Sequence, residues 1–328
     1  MTKRKIGAVC VTALLIAAAV VVALRERRQT VPRPDVPVAA SPAEVRVKAV
    51  ERKSAPVADG EVAAASDAVA IVCGMDKATD DRYEARNDAL RSIARRRDLA
   101  KNDVAALLAY LRRADDALRV ERVAALKNDV MNLLRNQDPP PKDLAGTLIG
   151  IFEGGKHPPV VIDYSIQHLG AMVNELDESM RTGVRGAPAL PDGGVRGVFV
   201  RAAREKTKPY AGTALYSLAE DKRATAAQEG ELKRLTLALC KPGVNNVTRI
   251  AAIQLAGERG YAEALPVLRE TLLGARRDAV LDIVCIGSVG LLGNADDIPI
   301  LSRFSSDSRR AAAVDAAIQR IKERADAN

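Results

Sequence analysis

The sequence predicts an all-α protein: a stack of helical hairpins set behind an apolar amino-terminal segment. Composition is the first observation. The 328-residue chain is 48% hydrophobic but holds only three Phe, six Tyr and no Trp. Ala and Leu are strong helix formers, whereas strands favour β-branched and aromatic residues. The second observation is apolar spacing at i, i+3, i+4 and i+7 from about residue 80 onward, the mark of helices with one buried stripe. The third is an echo at a period of 33, which carries Val247, Ile250, Ile253, Gly257 and Gly260 onto Val280, Ile283, Ile286, Gly290 and Gly293. A fixed period of this size signals stacked repeats.

At the amino terminus, Lys3-Arg4-Lys5 precedes an uncharged run from Ile6 to Leu24, closed by Arg25, Arg27 and Arg28. At helical rise that run spans about 28 Å, near the thickness of a bilayer core. Residues 1–28 read as an uncleaved signal anchor or as a cleavable signal peptide with a small-residue site at Val21-Val22-Ala23. Arginines directly after that site favour the anchor. Basic residues flank both sides, so the charge rule gives no clear orientation. A short basic terminus normally stays in the cytoplasm, which predicts an extracytoplasmic, periplasmic body. Residues 29–60 hold Pro32, Pro34, Pro37, Pro42 and Pro56. Proline removes backbone donors and fixes φ, so this stretch reads as an extended tether.

Residues 61–180 read as an amino-terminal helical region. Val104, Leu107, Leu108 and Leu111 form one stripe. Val123, Leu126, Val130, Leu133 and Leu134 form the next, stopped by Pro139-Pro140-Pro141. Leu144, Leu148, Ile151 and Phe152 end at Gly154-Gly155, and a longer helix carries Ile162, Ile166, Leu169, Val173, Leu176 and Met180. Helices of this length with short breakers suit antiparallel hairpins. Residues 181–195, with Gly183, Gly186, Pro188, Pro191, Gly193 and Gly194, form a loop. It is either a mobile insertion or the join to a carboxy-terminal repeat region, residues 196–328.

In that region Thr225 and Gln228 have the form of a capping box. Leu232, Leu265 and Ile298 are spaced by 33, as are Leu235, Leu268 and Leu301. Arg276-Arg277 recurs as Arg309-Arg310 before a last helix near Ala311–Arg324, whose charged end suits a terminal cap. The segment Arg249-Ile250-Ala251-Ala252-Ile253-Gln254-Leu255-Ala256-Gly257, followed by Glu263-Ala264-Leu265-Pro266-Val267-Leu268, resembles bacterial HEAT-like repeats of the phycobilisome-lyase type. The match is good over residues 245–302 and fair to 328. Asp282 stands where Arg249 stands in the preceding unit, which breaks the usual basic position. The resemblance implies a right-handed α-solenoid used for protein binding and carries over no lyase activity.

Charge and chemistry narrow the function. The net charge is +8, but residues 1–60 hold 11 Lys+Arg against 5 Asp+Glu, leaving 39 against 37 for the rest. The body is nearly neutral and poor in aromatics, which argues against a nucleic-acid partner. His157 falls in a loop and His168 beside a helix stripe, so a two-His metal site would need a carboxylate brought in from elsewhere. No G-x-S-x-G elbow or C-x-x-C is present. Cys10 lies in the apolar run, Cys285 reads as a core thiol, and Cys73 and Cys240 could pair in an extracytoplasmic body. Gly154-Gly155-Lys156 and Gly193-Gly194 lack phosphate-loop spacing. Arg95-Arg96-Arg97 reads as a solvated helix end, and Asp80-Asp81, Asp115-Asp116 and Asp296-Asp297 as capping residues.

No cofactor, metal or catalytic residue is called for. The leading expectation is a membrane-tethered scaffold that binds a protein through one helix of each hairpin, with Arg269 and Arg303 pointing from that face. Two alternatives stand beside it. One is an enzyme with a carboxylate site in the amino-terminal half, the 181–195 loop serving as its lid; the other is a self-associating structural protein of the envelope.

Overall fold

Pairwise packing of short amphipathic helices sets the architecture. The computed structural model describes residues 59–74, 83–114, 119–182, 190–191, 194–275 and 278–327, all within the compact unit Pro56–Asn328. Fourteen α-helices and no strand occur among these residues. They are α1 Asp59–Cys73, α2 Tyr83–Ile93, α3 Lys101–Arg112, α4 Val120–Arg135, α5 Leu144–Gly154, α6 Pro159–Thr182 and α7 Arg196–Arg204. After them come α8 Tyr210–Ala219, α9 Ala226–Leu239, α10 Asn246–Glu258, α11 Leu265–Leu273, α12 Ala279–Leu292, α13 Ile298–Ser302 and α14 Ala311–Asp326. Short 3-10 turns, Ala262–Ala264 and Ala295–Asp297, lead into α11 and α13.

Each odd-numbered helix packs on the even-numbered helix that follows it, giving seven hairpins. The even helices also pack in an unbroken row from α2 to α14. The stripes read from sequence face the core: Leu107, Leu111, Leu126, Val130, Leu134, Leu148, Ile151, Ile166 and Leu169 are all buried. So are the repeat positions Leu232, Ile253, Ile286, Leu268 and Leu301. The Thr225–Gln228 capping box is complete, with both reciprocal hydrogen bonds formed.

Close approach within the even row depends on small residues. A Cβ at Gly290 in α12 would stand 2.7 Å from Ala317 Cα and Cβ in α14. At Gly257 in α10 it would stand 2.9 Å from Ser288 Oγ in α12. Gly212 meets Ala251 in the same way, and Gly170 meets Ser217. At Gly257 and Gly290 the 33-residue glycine echo is therefore a packing device, while Gly260, at φ +70°, makes the turn after α10.

One helix precedes the pattern read from sequence. In α1 Ala65, Ala68, Val69 and Val72 are buried at i, i+3, i+4 and i+7. Two alanines in that stripe give little contrast against an alanine-rich background, so the periodicity is faint. Of the 181–195 segment, α6 takes the first two residues, and Val195 is buried beneath α7. The even row continues past it, because α6 packs directly on α8. The expected membrane helix at 6–24 and residues 29–58 of the proline-rich tether lie outside the described residues, while the last two tether positions, Asp59 and Gly60, open α1. Among those described, no helix is long and apolar enough to cross a membrane.

Candidate functional site

The amino-terminal half buries charge at its helix ends. Lys127 of α4 is fully buried, and its Nζ donates to the carbonyls of Leu111 (3.0 Å), Tyr110 and Arg113 at the end of α3. Carbonyls in the last turn of a helix lack an i+4 partner, so the ammonium supplements the Arg113 N–H bond to Tyr110 and opposes the negative end of the dipole. Arg86 does the same for α1, donating from Nε to the Val72 carbonyl at 2.9 Å, and Arg113 reaches the Cys73 carbonyl. The three cations surround the Tyr110 ring at 5.1 to 5.3 Å. Sequence reading passed over Lys127. Its signal was a lysine at i+4 from Val123, on the apolar stripe itself.

The two histidines stand in separate polar networks. His157 lies against Lys127, with Nδ1 3.5 Å from Nζ. Burial and the neighbouring ammonium push its pKa down to about 4. His168 accepts from Arg135 through Nδ1 at 3.1 Å, with the Nε2 proton assigned toward Asn128 Oδ1. Burial and Arg135 also hold it down, to about 4. Arg135 in turn pairs with Glu175 at 3.3 Å. Each imidazole is neutral near pH 7 and bridges neighbouring elements. No group of three His, Cys, Asp or Glu suited to a metal ion occurs among the described residues.

The suggested Cys73–Cys240 bond is not formed. Cys73 ends α1 and Cys240 follows α9, and both are free and buried, as is Cys285. Burial raises all three thiols, Cys73 to about 11 and the other two to about 12. A thiol held this high is a core side chain and a poor nucleophile at neutral pH.

In the repeat half, the departure at Asp282 has a structural answer. Buried Arg249 donates from Nε to the Cys240 carbonyl at 2.8 Å and also reaches Thr271. Asp282, one repeat on, instead accepts two hydrogen bonds from Arg310 at 3.1 and 2.8 Å, both partners being buried. The basic partner now comes from the next hairpin. Arg269 likewise does not project freely. It makes a bidentate pair with buried Asp297 at 2.6 and 2.9 Å, while Asp297 caps Asn294. Arg303 is exposed.

Arg269–Asp297 closes a line of ion pairs joining successive odd helices or the 3-10 turns that lead into them: Glu153 with Arg201, Arg204 with Glu231, and Lys233 with Glu263. A charge ladder exists, but it runs between repeats rather than along the first-helix position of Arg249.

Hollows open on the surface of the described residues. One of about 770 Å³ is lined by Asn174, Asp177, Glu178, Ala219, Glu220 and Lys222 at the carboxy ends of α6 and α8. Its carboxylates are engaged, Glu220 accepting from Asn174 at 2.8 Å and Asp177 pairing with Arg223 at 3.3 Å. A second, of about 280 Å³, lies at the start of α5 beside Arg112 and Lys142. A third, of about 220 Å³, lies between α6, α7 and α8. Leu190 borders both smaller hollows. Carboxyls that burial raises, Asp129, Asp163 and Glu258, sit on three different helices and line none of these hollows.

No protein-family model and no curated protein matches the chain. Among solved structures, human deoxyhypusine hydroxylase in complex with glycerol is similar at 14% identity, covering 80% of this chain and 99% of that one, with a TM-score of 0.31.

Proposed function

We propose that the chain is a membrane-tethered, right-handed α-solenoid of HEAT-like repeats that acts as a scaffold or protein-binding module, without catalysis, its body in the periplasm. The observation that carries this reading is the use made of buried polar groups. Arg86, Lys127, His168, Arg249, Asp282, Asp297 and Arg310 all hold helix ends or neighbouring helices together. Catalytic sites instead gather perturbed groups around a cavity. The apolar run Ile6–Leu24 and the prolines after it support the tether. A reporter fusion at residue 60 tests the topology. Capture with the body from an envelope extract tests the scaffold, and recovery of no partner overturns it.

The large hollow, with Asp177 from the amino-terminal half and Glu220 from the repeats, favours a second reading, an enzyme whose carboxylate site begins in the amino-terminal half. A turnover found with the wild type and lost in Asp177→Asn/Glu220→Gln establishes it.

A further inference from the structure

In a two-row stack of antiparallel hairpins, every turn leading from an odd helix to the next even helix falls on one edge. The hydrogen bonds between neighbouring turns confirm this. Asn245 donates from its backbone to the Lys206 carbonyl at 2.9 Å, and Thr248 Oγ1 donates to the Lys208 carbonyl at 2.7 Å. Asn246 reaches Asp278 at 3.3 Å, and Phe152 meets Tyr210 edge to face at 6.1 Å. The turns after α5, α7, α9 and α11 are thus laid side by side.

Three of these turns carry exposed lysines: Lys156, then Lys206 and Lys208, then Lys241. None has a carboxylate within ion-pair distance among the described residues. Carboxylates of the same edge are engaged elsewhere. Glu205 accepts from the Tyr210 hydroxyl at 2.6 Å, Asp278 caps α12, and Asp307 pairs with Arg309 and Arg310. The opposite edge carries Asp177, Glu178, Glu220, Glu258 and Asp296 together with Lys101, Lys142, Lys222, Arg223 and Arg259. What sets the lysine edge apart is that its unbalanced cations fall in three adjacent turns.

We infer that this lysine edge docks an acidic, extended polypeptide segment of the partner, a conclusion that rests on the protein-binding reading. Adjacent packed helices stand about 8–10 Å apart. An extended chain in the polyproline II form rises about 3.1 Å per residue with three residues per turn, so acidic side chains at every third position share one face and keep step with the turns. Stacking platforms for bases are missing here, since Phe152 and Tyr210 are buried, which favours an acidic peptide over a nucleic acid.

The test uses the full chain in neutral detergent and poly-L-glutamate as the probe. One variant reverses the edge (Lys156→Glu, Lys206→Glu, Lys208→Glu, Lys241→Glu). A charge-matched control reverses Lys101, Lys142, Lys222 and Lys322, which lie off this edge. Exposed pairs are individually weak, so the edge variant is expected to lose about tenfold in affinity at low salt and the control about twofold or less. Equal losses in the two variants overturn the inference, as does no binding by the wild type. Tighter binding of oligo-dT or of phosphatidylserine vesicles with the same lysine dependence also overturns it. Partner capture that survives edge reversal overturns the edge alone. Absence of any captured partner, with poly-glutamate binding intact, overturns the scaffold reading instead.

Discussion

Gly290 and Gly287 sit on the same helix, α12, three residues apart, and alanine at each should act in opposite directions. Replacing a mid-helix glycine by alanine gains about 0.5–1 kcal/mol through backbone entropy and propensity, and that gain is common to both sites. Nothing lies within 4 Å of a Cβ at Gly287. At Gly290 the same methyl would stand 2.7 Å from Ala317 Cα and Cβ. Non-bonded carbons rest about 3.5–4.0 Å apart, so α14 must retreat by about 1 Å. The obstruction is backbone, which cannot swing aside like a side chain. Overpacking of this kind costs about 1–3 kcal/mol. The difference between the two variants isolates that steric term, because the propensity gain cancels. Urea unfolding followed by far-UV circular dichroism measures it. Gly287→Ala is expected to be more stable than the wild type and Gly290→Ala less stable, the two separated by about 1–3 kcal/mol. Equal stability would refute the close-packed even row.

Three further outcomes follow from the buried groups. Arg310→Met leaves the buried Asp282 without its partner and should cost about 3–5 kcal/mol, while adding Asp282→Leu should restore most of it in the same unfolding assay. His157 and His168 both have folded pKa values near 4, below the unfolded value of 6.5. Between these limits the unfolded chain binds more protons, so stability is full above pH 6.5 and falls as pH drops toward 4. An unfolding midpoint unchanged from pH 7.5 to pH 5 would count against this, and His168→Gln should flatten the slope. Cys73, Cys240 and Cys285 should resist iodoacetamide in the folded protein and react on unfolding; prompt native labelling of Cys285, read by mass spectrometry, would contradict its burial.

What could be read from sequence was what periodicity encodes. Leu107, Leu111, Val130 and Leu134 announced their burial by spacing alone, and the Thr225–Gln228 cap was visible because its geometry is local. Groups whose partners lie far along the chain were not visible. Arg310 and Asp282 are 28 residues apart, and Lys127 serves carbonyls 14 to 17 residues away. The same distance explains why Asp282 looked like a defect in the repeat. A pattern one unit long cannot contain a bond that crosses to the next. Gly257 and Gly290 were recognised as recurrent, but only the neighbouring helix shows that recurrence means contact with Ser288 and Ala317.

Charge arithmetic along a chain has a similar blindness. Beyond residue 60 the chain holds 39 basic against 37 acidic side chains, a sum that predicts no electrostatic character at all. A hairpin stack sorts that sum by the direction of each turn. Residues entering even helices go to one edge and residues leaving them to the other, whatever their separation in sequence. Lys156, Lys206, Lys208 and Lys241 are scattered over 86 positions yet fall in three successive turns of one edge. Ion pairs between odd helices, such as Arg204 with Glu231 at 3.2 Å, remove many of the remaining charges from play. The groups left over then determine how the body meets a charged partner. They also give that encounter a dependence on ionic strength, since exposed charges are screened beyond about 8–10 Å in physiological salt.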